Sequence, residues 1–444
     1  MSSFDNTHIT ALADLINKAV QDVIAEYGRV GQAVPSLDTL EPGPFQVPEE
    51  TPTILSNAIQ AIEAACAQLS YTVAPPGSVM VNTLIIDAHQ HEEPACLLVV
   101  TEARIADLLL DKPEGLPVSE LASRSGLDTT KLTRILRLLA TKHCFKEVEP
   151  GVFSNNRLSM KLLSSDTVSS IVGLLTDESL RASAYLNETL TDPSEMDGGI
   201  PFRRATGYQF FDYHKTRFPR AMVGWGDVTG KGFLAKVYPW TLQPVDTTIC
   251  DVGGGNGHVT MNLIKTHPHI KLVIQDQPQV IEMAREFWAK EYPTAIDQRR
   301  VEFVPFDFFK DTAVHGCDFY YVCQSLPRDW PDAESELILK NVRKAMKPSS
   351  RVIIHDTVLR NAVRIRDSVD DYANAQIDLA PEPLLPNYGV ARVRTYELDM
   401  TMMNLLNSKA RTLPEFVELG NKCGLKFEKL YGTGETDLVE YSPV

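Results

Sequence analysis

From Thr248 to Val280 the chain reads T-I-C-D-V-G-G-G-N-G-H-V-T, then a helical run, then K-L-V-I-Q-D-Q-P-Q-V. An apolar run that halts at glycines, resumes as a helix and returns as a second apolar run closed by an acid predicts strand, turn, helix and strand. Glycines let the backbone turn sharply and approach a ligand, and a helix N-terminus offers free N–H groups. A carboxylate about twenty residues further on can hold ribose hydroxyls. The stretch therefore predicts a nucleoside-cofactor site with Asp251, Gly253, Gly255 and Asp276 as candidates. A tight strand-to-helix turn needs glycine whether or not it binds anything, so it is the joint spacing of turn, helix and acid that favours function.

Further strands are expected in V-E-F-V-P-F-D-F-F, ending at Asp307, in D-F-Y-Y-V-C, ending near Cys323, and in R-V-I-I-H-D, ending at Asp356. Strands alternating with helices imply a doubly wound parallel sheet, an α/β class whose ligands sit beyond the carboxyl ends of strands. Asp251, Asp276, Asp307 and Asp356 all fall at such ends. A helix from Pro414 to Cys423, stopped by Gly424, and a strand pair around K-F-E-K-L-Y and D-L-V-E-Y-S close the chain.

Upstream, Ile9, Leu12, Ile16, Val20, Val23, Ile24 and Tyr27 give one apolar helix face. Prolines 35, 42, 44, 48 and 52 then mark an extended linker, followed by a helix over roughly 53–70 that Pro75-Pro76 ends. From Glu102 to Leu163 the pattern is a winged helix: a helix to Leu110, a short one over Ser119–Ser125, Gly126 as a stop, Asp128 as N-cap to a helix carrying Leu132, Ile135, Leu136 and Leu139, and a hairpin from Phe145 to Phe153. Lys131, Arg134 and Arg137 on that helix raise DNA binding as one reading and subunit packing as the other. The chain's formal charge of -15 and pI near 5.2 favour packing, because an acidic surface repels nucleic acid and anionic membrane alike. Residues 170–240 are rich in aromatics, and Phe210, Phe218, Met222 and Trp225 read equally as core or as the wall of an apolar substrate pocket.

The 444 residues divide into a helical arm and linker (1–75), a winged-helix module (76–170), a helical connector (171–240) and a cofactor-binding α/β domain (241–444). Seven cysteines without a C-x-x-C pair suggest reduced core thiols rather than a disulfide framework or zinc site. The N-terminus has neither a basic start nor an apolar h-region, so a cytoplasmic location is expected. The pairs His89/His91 and His267/His269 lack a third ligand at useful spacing, and solvated surface histidines are the expectation.

Together D-V-G-G-G-N-G-H, Q-D-Q-P-Q-V, F-D-F-F, R-D-W-P-D, V-I-I-H-D and D-M-T-M-M-N-L-L-N-S-K-A-R-T resemble the S-adenosylmethionine (SAM)-dependent O-methyltransferases of the caffeate/flavonoid type and their fungal relatives, which act in secondary metabolism. The resemblance covers residues 80–444. It implies a Rossmann-like class I SAM-methyltransferase domain preceded by an α-helical winged-helix dimerisation domain, a homodimer, and SAM as cofactor. It places Gly253 and Gly255 against the amino-acid part of SAM, Asp276 on the ribose, Asp307 and Phe308 at the adenine, and Gln324 where the family often carries a basic residue. Met400, Met403 and Asn404 follow the family's substrate-lining segment.

The catalytic positions depart from that pattern. Where the family usually has H-D-W or H-N-W, its histidine taking the substrate's proton, this chain has Arg328-Asp329-Trp330. Arginine stays protonated and is no general base. Asp356 stands at one of the family's carboxylate positions as a shorter acid, and Ala410 at the other. Arg328 could pair with Asp329 or Asp332 while methyl transfer persists by proximity. Alternatively Arg328 and the sulfonium could polarise a substrate as two fixed cations. The second arrangement resembles a branch of the family, SAM-binding pericyclases of polyketide-alkaloid biosynthesis that dehydrate an alcohol and promote Alder-ene or hetero-Diels–Alder cyclisation. Arg328, Asp329 and Asp356 are the catalytic candidates, in a pericyclase or, alternatively, in an O-methyltransferase of a phenolic or enolic small molecule.

Overall fold

The computed structural model describes residues 6–41, 43–80, 91–195, 198–213, 217–322, 326–364, 379–432 and 436–444, with the side chains of 217–219 outside the description. The chain forms two compact units, Met1–Val228 and Thr229–Val444.

In the first unit, helices Thr7–Arg29 and Thr53–Val73 pack through Ala19, Ala58 and Ala61, small residues that let the two backbones approach closely. The helix expected from Glu102 to Leu110 is shorter, Ile105–Leu108, and the left-handed Arg104 (φ 53°) separates it from a preceding helix, Glu92–Glu102, that the sequence pattern does not indicate. The helix Val118–Ser125 ends at Gly126 (φ 75°), as expected. Asp128 then accepts a hydrogen bond from the Lys131 amide at 2.9 Å and caps the helix Thr129–Thr141, which buries Leu132, Leu136 and Leu139. Strands β1 (Leu116–Pro117), β2 (Lys146–Glu149) and β3 (Val152–Ser154) form the antiparallel wing in the order β1-β3-β2. Arg137 is tied to Glu147 at 3.3 Å.

The second unit holds the main sheet. Its strands are β4 (Thr247–Val252), β5 (Ile270–Asp276), β6 (Val301–Pro305), β7 (Phe319–Val322), β8 (Arg351–Asp356), β11 (Leu425–Gly432) and β12 (Asp437–Pro443). A separate parallel pair joins β9 (Val358–Leu359) to β10 (Arg411–Thr412). The order β11-β12-β8-β7-β4-β5-β6 is parallel from β8 to β6, and the β11–β12 hairpin adds an antiparallel edge. Alternation puts Cys250, Val252, Tyr320, Val322, Val352 and Ile354 into one apolar layer and Ile249, Phe319, Tyr321 and Ile353 into the other. Both faces are buried, which is why these strands read as continuous apolar runs. From β4 the chain winds one way to β5 and β6, then crosses to β7 on β4's other side. The crevice at the carboxyl end of β4 is thus the topological switch point, where ligands of such sheets bind.

Candidate functional site

The glycine turn leaves β4 at this point. Gly253, Gly255 and Gly257 have φ of 68°, 60° and 72°, in the left-handed region that glycine adopts without cost. A Cβ at Gly253 would stand 2.2 Å from Leu326 Cδ1, and one at Gly257 would stand 2.5 Å from Ile274 Cδ1. At Gly255 nothing lies within 4 Å, so that glycine leaves open space over the turn. Asp276 closes β5 as expected and accepts the Gly255 amide at 2.8 Å and the Gln277 amide at 2.7 Å. Burial raises its pKa, and these two hydrogen bonds oppose the rise.

Asp251 is 1% exposed and accepts a hydrogen bond from Thr260 Oγ1 at 2.6 Å. Its Oδ1 is buried with no hydrogen-bond partner among the described residues, and burial pushes the carboxyl up to about 7. A buried acceptor without a partner, beside an open glycine turn and a strand-end acid, fits a nucleoside cofactor bearing a charged amine. Thr260 was not anticipated; its signal is a hydroxyl in the first turn of the helix His258–Thr266.

The expectation that Asp307 ends a strand is corrected: β6 stops at Pro305, the Phe306 amide makes the last rung of the ladder to the Asp276 carbonyl, and the Asp307 carbonyl then turns the chain by accepting the Lys310 and Asp311 amides at 2.9 and 2.7 Å. Asp307 lies beyond it, bonded to Lys310 at 2.7 Å, whose ammonium holds the carboxyl below its ordinary value. Phe308 packs on Phe309 and Trp330 at ring separations of 4.7 and 6.0 Å. Gln324 lies outside the described residues.

The loop carrying Arg328 follows. Arg328 is 4% exposed, and its Nη1 lies 3.2 Å from Asp356 Oδ1. Of the two partners foreseen for this arginine, Asp332 is engaged elsewhere, by Arg411 at 2.7 Å and Lys409 at 3.1 Å. Asp329, partly buried next door, is pushed up to about 7 by burial, with Asp356 adding to the rise and Arg328 opposing it. Burial likewise raises Asp356, and Arg328 opposes that shift. Behind them His355, fully buried, is bonded to Tyr321 at 2.8 Å and Thr436 at 2.9 Å and held neutral, its pKa pushed down to about 3 by burial and by Arg328. The loop backbone is clamped by residues that sequence reasoning missed. Ser408 Oγ donates to the Arg328 carbonyl, and the guanidinium of Arg411 binds the carbonyls of Pro327 and Trp330.

Of the substrate candidates, Phe210 is 4% exposed and stacks edge-on with Phe202 and Phe211, so it is core within its own unit. Met222 and Trp225 are half-buried on the helix Arg217–Thr229, and the Phe218 side chain is outside the description. Met400, Met403 and Asn404 share a face of the helix Val393–Leu406 and grade from exposed through half-buried to buried.

The surface expectation for His267 and His269 is overturned. His267 is buried against the Ala235 carbonyl at 2.8 Å, and His269 meets the Trp240 carbonyl at 3.0 Å. His91 is exposed, while His89 and Cys323 lie outside the described residues. Of the thiols expected in the core, Cys250, Cys317 and Cys423 are buried, Cys96 and Cys144 are half-buried, and Cys66 is exposed. Among the described residues no helix is long and apolar enough to cross a membrane.

Comparison with known proteins gives this geometry a family context. Residues 184–380 match the O-methyltransferase domain, and residues 88–165 match the O-methyltransferase dimerisation domain. The chain is 47% identical to the 3-O-methyltransferase 2 of Phanerochaete chrysosporium over the full length of both. The solved mitomycin 7-O-methyltransferase is similar at 24% identity and a TM-score of 0.66, covering 83% of this chain and 98% of that one. LepI in complex with SAM is similar at 20% identity and a TM-score of 0.67, covering 89% of this chain and 96% of that one.

Proposed function

The chain belongs to the SAM-dependent O-methyltransferase family, and from that premise we propose that it methylates a phenolic or enolic hydroxyl with Asp329 as proton acceptor. SAM, when bound, supplies an electrophilic methyl group. Asp251, Gly253, Gly255 and Asp276 would hold it, with Asp307 and Phe308 at the adenine. The observation that carries the reading is the division of labour between Arg328 and Asp329. Arg328 is spent on Asp356 at 3.2 Å, so it is a neutralised cation, while its neighbour Asp329 is a carboxyl held up to about 7. With SAM bound, the substrate oxygen would gain the methyl carbon as the methyl–sulfur bond breaks and S-adenosylhomocysteine leaves, and the proton of its O–H bond would pass to the Asp329 carboxylate. A carboxylate whose proton affinity is raised toward neutrality by burial is suited to accept a phenolic or enolic proton. The relatives' printed names, all methyltransferases acting at a numbered oxygen among those cited from Phanerochaete and for mitomycin, support the same reading.

The presence of a buried arginine where the family carries histidine favours a second reading, a non-methylating pericyclase that dehydrates and cyclises a polyketide-alkaloid or pyridone alcohol. In that account Arg328 donates hydrogen bonds to a developing oxyanion and Asp356 sets its direction. We also take the chain to act as a homodimer through residues 88–165, in the cytoplasm.

The two readings separate by methyl accounting. Methyl-labelled SAM is incubated with catechol, resorcinol, 4-hydroxycoumarin and pyridone alcohols. One S-adenosylhomocysteine per labelled ether supports methyl transfer; product formed with SAM intact overturns it in favour of the pericyclase.

A further inference from the structure

We propose that Arg411, assisted by Ser408, is a positioning residue for Asp329. The inference rests on the reading of Asp329 as proton acceptor.

Arg411 is 1% exposed, yet much of its hydrogen bonding goes to backbone oxygens on another segment. Its Nη1 donates to the Pro327 carbonyl, and its Nη2 donates to the Trp330 carbonyl at 3.2 Å and to Ser335 Oγ at 3.2 Å. Nε and Nη2 both reach Asp332 Oδ1, at 3.0 and 2.7 Å. Ser335 Oγ in turn lies 3.1 and 3.0 Å from the same two carbonyls, between which its single proton is shared. Ser408 Oγ takes the remaining carbonyl on this side, that of Arg328. The carbonyls of residues 327, 328 and 330, on both sides of Asp329, are therefore held by side chains. The loop has no helical or strand ladder of its own to do this.

The clamp is anchored at both ends. Arg411 pairs in register with Val358, two residues after Asp356, so one short strand supports both the Asp329 loop and the continuation of β8. The Ala410 amide donates to Asp399 Oδ1 at 2.7 Å, which ties the same segment to the helix carrying Met403 and Asn404. Lys409 completes the set by joining Asp332 at 3.1 Å to Glu415 at 2.9 Å. A planar guanidinium can span two carbonyls and a carboxylate in one geometry, whereas an ammonium reaches only part of that set. The position the family gives to a carboxylate is here Ala410, and the side chain beside it fixes the loop instead.

A merely structural clamp and a positioning clamp differ in one readout. Turnover is measured with methyl-labelled SAM and the fastest acceptor of the panel above, for Arg411→Gln in the wild-type and in the Asp329→Asn background. Positioning predicts a fall in kcat of about tenfold or more, a KM for SAM within about twofold, and partial recovery in Arg411→Lys. It further predicts that the loss shrinks to about twofold or less once Asp329 is Asn, since there is no acceptor left to place. An equal loss in both backgrounds overturns the proposal. If Asp329→Asn alone turns over at the wild-type rate, it is the proton-acceptor reading that fails. Should Arg411→Gln not fold, Ser408→Ala carries the same comparison, because it removes one hydrogen bond and leaves the buried guanidinium in place.

Discussion

The guanidinium of Arg328 and the carboxylate of Asp356 meet at 3.2 Å with both side chains almost wholly buried. Each charge is tolerable there because of the other. Removing one partner leaves an uncompensated buried charge, which costs about 3–5 kcal/mol, whereas replacing both with apolar residues is often close to neutral. Arg328→Met and Asp356→Leu are each expected to lower the urea midpoint of the second unit, and the double variant is expected to recover most of the loss. Single variants as stable as the parent would show that the pair is not formed in solution.

Asp251 gives a stability effect whose sign follows from its environment. The folded carboxyl titrates at about 7, and an unfolded one near 3.9. Across that window the folded state binds more protons than the unfolded, so this group's contribution falls as pH rises and levels off above the folded value. Asp251→Asn removes the loss. Its unfolding free energy without SAM, and with it the thermal midpoint, is expected to gain on the parent between about pH 4 and 7, the free energy by at most about 4 kcal/mol at the plateau, while SAM affinity drops. Calorimetry across that pH range checks both; a midpoint difference that does not change with pH contradicts the assignment.

The three glycines separate backbone strain from cofactor space. Gly253→Ala meets Leu326 at 2.2 Å in addition to its left-handed φ, so it is expected to destabilise the fold by about 2–4 kcal/mol. Gly255→Ala pays only the left-handed cost of about 1–2 kcal/mol, and its methyl meets no protein atom. It is expected to fold and to bind SAM about tenfold or more weakly by titration calorimetry. Unchanged SAM binding in folded Gly255→Ala would remove that glycine from the cofactor site.

The reach of the sequence stops where contacts become long-range. The glycine turn, the acids ending β5 and β8, the wing and the capped helix at Asp128 were legible because each depends on a few adjacent residues. Asp307 lies two residues past the end of β6 because its carbonyl accepts the Lys310 and Asp311 amides and starts a turn, which an apolar run through Phe308 and Phe309 does not reveal. His267 and His269 look solvated in isolation, and become structural only when the chain brings the carbonyls of Ala235 and Trp240 over them. Arg328 stands out in the sequence, but its 3.2 Å ion pair is with Asp356 at the end of β8, a partner that the local sequence does not offer. Arg411 was invisible for the same reason: the carbonyls it binds lie about eighty residues upstream.

Asp329 is proposed to receive the substrate's proton, and the pH dependence of turnover tests this most directly. Measured as kcat/KM, which reports the groups of the free enzyme, turnover is predicted to rise about tenfold per pH unit below an inflection near 7 and to level off above it, because only the ionised carboxylate accepts a proton. In Asp329→Asn the rate is predicted to fall by about a hundredfold or more, and the inflection to vanish. An Asp329→Asn variant that keeps the parental rate and the same inflection would contradict the assignment.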